Sequence, residues 1–139
     1  MLNIIMLEKK LRQGNKKMQS EQAIETAIIN ALNAKKDLFC FKFPRGQKSF
    51  SRKNTVMGSG SGVSDIIVNL HYSELCFVVY LEVKTKTGIL RESQKLFKNK
   101  VESFGGLYYL VRSVEDAEDA IMDAKATLNS MIQIAKIPW

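Results

Sequence analysis

The sequence contains few of the residues from which many enzyme sites are built. There is one histidine in 139 residues, and there are two cysteines and two prolines. Cys40 and Cys76 fit no metal-ligand or redox spacing and do not suggest a disulfide framework, so we expect two buried, reduced thiols. His71 falls in a predicted turn, where a surface role is favoured over a catalytic one.

Long apolar runs are also missing. No stretch approaches the roughly 20 apolar residues that span a membrane. The first residues, MLNIIMLEKK, combine a short apolar run with basic residues on the wrong side for a secretion signal. The composition, 45% hydrophobic and 25% charged, is typical of one globular domain. We therefore expect a soluble, cytoplasmic protein.

Acidic residues are scarce in three segments. Residues 1–17, 35–53 and 84–100 contain one acid each, whereas residues 112–139 contain five acids and three bases. The formal net charge is +7. This distribution indicates one basic face and a polyanionic partner such as a nucleic acid. A solvated basic surface without a partner remains an alternative.

Hydrophobic periodicity and turn residues predict an α/β fold with the element order αβββαβα. Helices are expected from Ser20, over 92–104, and from Ser113 to about 129, and strands over 37–43, 64–70, 75–84 and 107–111. Phe39, Phe41 and Phe43 alternate along the first strand and are expected in the core. The predicted parts of the chain are an N-terminal extension (1–17, with Met18 as an alternative start), a domain (18–129) and a C-terminal tail (130–139).

Two stretches, SGVSDIIV and LEVKTKTG, place charged residues in predicted strands. If the hairpin turn is centred between Ser73 and Glu74, cross-strand partners sum to 147, so Asp65 faces Glu82. Lys84 lies two residues further on the same face. Two carboxylates on a rigid sheet suit a hard cation such as Mg²⁺, and a nearby lysine can orient water or hold a phosphate. The alternative is an exposed Asp and an exposed Glu–Lys pair.

These motifs, in this order and spacing, resemble the PD-(D/E)XK nuclease superfamily, and are most similar to its VRR-NUC branch. The resemblance covers about residues 18–123. The matching residues are Glu25, Gly62-Val63-Ser64-Asp65, Glu82-Val83-Lys84, Gly88 and Gln94. The chain departs from the family pattern at Ser64, where the family has Pro, and at Arg91, where it often has Ser.

The resemblance implies a restriction-endonuclease-like core, with a mixed central sheet flanked by helices, and a role for each matching residue. Asp65 and Glu82 would hold Mg²⁺ or Mn²⁺, with the Val83 carbonyl as a third ligand. Lys84 would position or deprotonate the attacking water. Gln94 would contact the phosphate or water, and Glu25 would close the site from the first helix.

The implied activity is metal-dependent hydrolysis of DNA phosphodiester bonds by an endonuclease of a bacterial or phage-infected cell. Similarity to stand-alone members implies a homodimer acting on branched or flapped DNA, including four-way (Holliday) junctions. Seven basic residues are expected to contact DNA: Arg45, Lys48, Arg52, Lys53, Lys86, Lys95 and Lys98. A non-catalytic DNA-binding subunit with this fold and an RNA-directed nuclease remain alternatives.

Overall fold

The computed structural model describes residues 18–44 and 62–136 of the chain. Within them the order of elements is helix, three strands, helix, strand and helix, as the sequence predicts. The helices are α1 (Glu21–Asn33), α2 (Glu92–Ser103) and α3 (Val114–Ala135), and the strands are β1 (Leu38–Lys42), β2 (Ile66–Tyr72), β3 (Leu75–Val83) and β4 (Leu107–Val111). The predicted N-terminal extension and four of the basic residues expected to contact DNA, Arg45, Lys48, Arg52 and Lys53, lie outside the described residues.

The four strands form one mixed sheet in the order β1-β2-β3-β4. β1, β2 and β3 run antiparallel, and β4 joins β3 in parallel after the α2 crossover. The predicted hairpin register is confirmed from Ile66, opposite Leu81, to Tyr72, opposite Leu75. Ser73 and Glu74 both have positive φ, 50° and 68°, which is the backbone of a two-residue turn that matches the twist of its strands.

The core lies between one face of the sheet and two helices. α1 contributes Ile28 and Leu32, and α3 contributes Ala117 and Ala124, to the cluster that contains the inward residues of the sheet. α2 lies on the opposite face, where Phe97 makes an edge contact with Tyr80 at 5.2 Å between ring centroids. Because β-strand side chains alternate between faces, Tyr80 and Glu82 share the α2 face, while Val79 and Leu81 face the core.

Three sequence expectations are wrong. Phe39 and Phe41 are 60% and 44% exposed, because Leu38 and Cys40 are the residues of β1 that face the core. Cys76 is exposed rather than buried, since it lies on the outward face near the hairpin turn. α3 continues to Ala135 instead of ending near 129, so the boundary drawn between domain and tail falls inside a helix that no Pro or Gly interrupts.

Both predicted helix caps are present. The Ser20 hydroxyl accepts a hydrogen bond from the Ala23 N–H at 3.2 Å, and the Ser113 hydroxyl accepts one from the Asp116 N–H at 3.0 Å. Such caps satisfy N–H groups that the first helical turn leaves without partners. In the described part of the chain, no helix has the length and apolar character needed to cross a membrane.

Candidate functional site

Four charged side chains are buried at the end of the sheet where the β2–β3 hairpin opens. Glu25, Asp65, Glu82 and Lys84 are 3%, 2%, 0% and 5% exposed. The alternative of an exposed Asp and an exposed Glu–Lys pair is therefore wrong, and the helical Glu25 is buried as well. Burying a charge is costly unless an opposite charge or hydrogen bonds compensate it, so each contact in this cluster matters.

Asp65 lies one residue before β2. Its backbone carbonyl accepts a hydrogen bond from the Phe43 N–H at 2.8 Å, which extends the pairing with β1. Its carboxylate Oδ2 accepts one from the Val83 N–H at 2.8 Å. The side chain thus reaches the end of β3 at the point where the backbone pairing of the hairpin has ended. This contact fixes one carboxylate oxygen beside the residue that follows Glu82.

Glu82 is fully buried, and its Oε1 is the centre of the cluster. That oxygen accepts a hydrogen bond from Lys84 Nζ at 2.8 Å and another from the Gln94 side-chain amide. In the parallel register Glu82 lies beside Leu110 of β4. Two donors on one oxygen fix the orientation of the carboxylate.

Lys84 follows β3 directly and is held by its backbone as well as its ammonium. Its N–H donates to the Val111 carbonyl at 3.0 Å, which continues the β3–β4 ladder by one residue. Its Nζ lies 3.8 Å from a Glu21 carboxylate oxygen, in addition to the contact with Glu82. A Cβ added at Gly88 would come within 3.2 Å of Lys84 Cδ, so a residue without a side chain lets the 85–88 turn close over the lysine stem.

Gln94 joins the cluster from the first turn of α2. Its Oε1 accepts a hydrogen bond from the Arg91 N–H at 2.8 Å, which leaves its NH₂ group directed at Glu82. A glutamine at the third helical position that binds the N-cap N–H is half of a capping box. The departure at Arg91 from the family pattern therefore does not prevent Gln94 from reaching the cluster.

The first helix contributes two carboxylates one turn apart. Glu25, predicted to close the site, forms an ion pair with Lys42 of β1. Glu21 is the residue of α1 whose carboxylate approaches Lys84. The sequence favoured Glu25 over Glu21, because Glu21 lies near the start of the helix, where helices fray. The i, i+4 spacing of the two acids indicates a shared helix face, but it does not indicate which acid reaches Lys84.

A second residue missed by the sequence analysis is Arg112, which follows β4. Its Nη1 donates to the carbonyl of Thr85, the residue after Lys84. Its own N–H donates to the Asp116 carboxylate at 2.8 Å, which places it against the start of α3. Arg112 thereby ties the turn beyond Lys84 to the helix on the other side of the sheet.

The loop that precedes Asp65 rests against α2. Gly62 has φ +85°, and a Cβ there would lie only 2.3 Å from the Ser93 carbonyl oxygen. Only a residue without a side chain allows this approach. The residues just before Asp65 and the first turn of α2, which carries Gln94, are therefore in close backbone contact.

The basic residues predicted to bind DNA differ in their surroundings. Lys86 is exposed in the turn beyond Lys84. Lys95 and Lys98 lie on α2, 3.6 Å from Glu92 and 3.9 Å from Glu102, as partly exposed pairs that contribute little to stability. Their ammonium groups remain accessible to solvent.

Tyr108 lies on the same face as Glu82, one step along the neighbouring strand. Burial raises the pKa of its phenol far above the usual range, and the negative charges of Glu82 and Glu102 act in the same direction. Its hydroxyl therefore stays protonated, and it has no hydrogen-bond partner in the described residues.

The donor set at the hairpin end fits a divalent cation by its chemistry. Mg²⁺ is commonly bound through one or two carboxylates, with water and phosphate oxygens as its other ligands. Asp65 and Glu82 supply two carboxylates, and the Val83 carbonyl belongs to the residue that directly follows Glu82. No group of three or more His, Cys, Asp or Glu residues arranged to hold a metal occurs within 18–44 and 62–136. A site here would therefore depend on these two carboxylates.

No protein-family model, curated protein or solved structure matches the chain in comparisons with known proteins.

Proposed function

We propose that this chain is a metal-dependent DNA endonuclease with a restriction-endonuclease-like core, of the VRR-NUC type within the PD-(D/E)XK superfamily. The observation that carries the proposal is the burial of Asp65, Glu82 and Lys84 together at the end of one hairpin. A binding module has no use for three buried charged groups at a strand end, because their desolvation is costly. A phosphodiesterase needs such groups for its cation and its water.

In the proposed reaction each side chain has one role. When bound, Mg²⁺ or Mn²⁺ would supply charge stabilisation to the phosphoryl oxygens and lower the pKa of a water. Asp65 and Glu82 would hold it, with Asp65 oriented by the Val83 N–H. Gln94 fixes the Glu82 carboxylate through its amide.

Lys84 would place the attacking water. Its ammonium has three N–H donors, and within the described residues the one directed at Glu82 is at hydrogen-bond distance. The other donors can hold a water or a phosphate oxygen. Glu21, at 3.8 Å, keeps a second negative charge beside the lysine.

The proposed substrate is DNA, with branched, flapped or four-way-junction duplexes as the expected preference. The charge of +7 and the accessible lysines of α2 support a polyanion, since phosphate neutralisation dominates such binding. A homodimer is part of the proposal because one site of this kind cuts one strand.

The test is cleavage of labelled linear, flap and four-way-junction DNA, and of single-stranded RNA, in Mg²⁺, Mn²⁺ or EDTA. Wild type should cut DNA only with metal, while Asp65→Asn, Glu82→Gln and Lys84→Ala should lose cleavage by at least about 100-fold yet still bind DNA. Lys136→Ala, at the exposed end of α3, is the matched control and should cut normally. Cleavage in EDTA, cleavage by Asp65→Asn, or preference for RNA would refute the assignment.

A further inference from the structure

The edge strand β1 exposes two phenylalanines to solvent. Phe39 is 60% exposed and Phe41 is 44% exposed, although aromatic rings are usually found with their faces covered. They lie two residues apart, so their side chains leave the sheet on the same face. Neither takes part in the ring pairs of the described residues, which join Phe97 to Tyr80 and to Tyr108.

The face that Phe39 and Phe41 share is the face of Glu82. Phe41 is paired with Ile67, which is paired with Tyr80, and Tyr80 precedes Glu82 by two residues. From strand spacing, the backbone of Phe41 lies roughly 12 Å from that of Glu82, since the two are separated by two strand spacings across the sheet and two residues along a strand. Phe43 continues the same row, and its N–H binds the Asp65 carbonyl. The row therefore runs along β1 up to the hairpin end where the buried charges meet.

Within residues 18–44 and 62–136, half of this face is left uncovered. α2 covers the β3–β4 side, where Phe97 packs between Tyr80 and Tyr108. On the β1–β2 side, Ile67 and Asn69 are half-buried, and Val78 of β3 is 41% exposed. The result is a shallow apolar surface bordered by α2, with an amide at Asn69 beside Phe39.

The spacing of the two rings suits a flat ligand. Residues i and i+2 of a strand are about 6.6–6.8 Å apart, and their side chains stand roughly perpendicular to the sheet. Stacked bases in a nucleic-acid strand are about 3.4 Å apart, so one base inserted between two rings needs about 6.8 Å. A base can also rest on the outer side of either ring.

We propose that Phe39 and Phe41 form a stacking platform for unpaired bases of a DNA strand that leads into the hairpin-end site. The proposal deepens and rests on the proposed nuclease function, since it names the unpaired segment of a branched or flapped substrate as the ligand. Aromatic side chains on a sheet face, beside cationic groups that take the phosphates, are the usual means of binding single strands. In this proposal the phosphates are taken by Lys95 and Lys98, which are partly exposed on α2, the helix that covers the other half of the same face.

The charge of the chain favours this occupant. A chain with a net charge of +7 attracts a polyanion such as a DNA strand. An apolar row that points at buried catalytic-type residues also suits a substrate strand better than a symmetric contact, which would bury the approach to the site.

The experiment is binding of fluorescein-labelled oligo(dT) and of a blunt duplex in EDTA, followed by anisotropy. Phe39→Ala and Phe41→Ala should each weaken oligo(dT) binding by about 5- to 100-fold and leave duplex binding unchanged, whereas Phe41→Tyr, which keeps the ring, should bind like wild type. Phe104→Ala removes a phenylalanine that is 82% exposed outside the row, and it should bind both ligands normally.

Sedimentation of the same variants completes the test. Unchanged oligo(dT) affinity in both alanine variants overturns the platform. If these variants also change from dimer to monomer while the affinity is unchanged, the row is a contact with a second copy of the chain instead. Since the binding assay contains no metal, loss of oligo(dT) affinity supports the platform even if wild type fails to cleave DNA, in which case the nuclease function alone is refuted.

Discussion

The charged residues at the hairpin end are held in ion pairs, one at the end of β3 and one between α1 and β1. Glu82 and Lys84 are both almost fully buried and in hydrogen-bond contact, while Glu25 of α1 pairs with Lys42 of β1. A buried ion pair contributes little net stability, but removal of one partner leaves the other charge unpaired in the low-dielectric interior. The cluster is therefore sensitive to single substitutions and tolerant of paired ones.

The Glu25–Lys42 pair tests this argument away from the residues proposed for catalysis. Lys42→Ala should lower the free energy of unfolding by about 1–2 kcal/mol, less than for a fully buried pair because the Lys42 side chain is 43% exposed. The double variant with Glu25→Gln should recover part of that loss, as urea denaturation and a double-mutant cycle would show. Equal denaturation midpoints for Lys42→Ala and wild type would contradict the expected cost.

Deprotonation of the buried Cys40 thiol is expected to lower the free energy of unfolding at alkaline pH. Burial raises the pKa of its thiol from 9.0 to about 11. Because the folded state holds this proton more tightly than the unfolded state, the contribution is complete below pH 9 and is lost as the pH rises through 11. Wild type should lose about 2 kcal/mol relative to Cys40→Ala over that window. Parallel pH curves for the two proteins would show that the thiol does not titrate there.

At the scale of elements, the sequence predicted what local patterns determine. The register of the β2–β3 hairpin followed from its two-residue turn. The N-caps Ser20 and Ser113 followed from the residue types that precede each helix. The sequence did not predict which face of β1 packs in the core, because the residues LFCF are apolar on both faces. Pairing with Val68 and Leu70 places Cys40 and Leu38 on the core face. The end of α3 was missed because exposed residues beyond Leu128 carry no pattern that marks a stop.

The contact between Gly62 and α2 is an element-scale feature that a substitution can test. Gly62→Ala combines a positive φ with a clash against the Ser93 carbonyl, so α2 must shift and draw Gln94 away from Glu82. We expect a loss of about 2–4 kcal/mol in unfolding free energy, and weaker Mn²⁺ binding by calorimetry.

Gly105→Ala is the matched control for this substitution. Gly105 also has positive φ, +76°, but a Cβ there meets nothing within 4 Å. It should cost only about 1–2 kcal/mol from the backbone conformation and leave Mn²⁺ binding unchanged. Equal effects of the two substitutions would show that the contact with Ser93 does not position α2.

At the scale of the whole molecule, residues distant in sequence meet through the sheet. Asp65, Glu82 and Lys84 could be placed together from the hairpin alone, because antiparallel pairing is a local consequence of the turn. Glu21 and Arg112 could not, since their approach depends on how α1 and β4 pack. The sequence therefore identified the centre of the cluster, and packing determined which helical acid and which arginine support it.

The last prediction concerns the proposed homodimer, in which two sites at fixed separation would cut both strands of a junction. The last turns of α3 leave Met131 and Ile134 exposed at 45% and 67%, on one side of the helix, and exposed apolar pairs favour a contact with another chain. Sedimentation equilibrium at micromolar concentration should give about twice the 15.7 kDa chain mass. Ile134→Glu should yield monomer, because the charge would be buried in the contact.

Met122→Glu, at an exposed position on another side of α3, is the control and should remain dimeric. A monomeric wild type that still cuts both strands of a junction symmetrically would show that paired sites are not required.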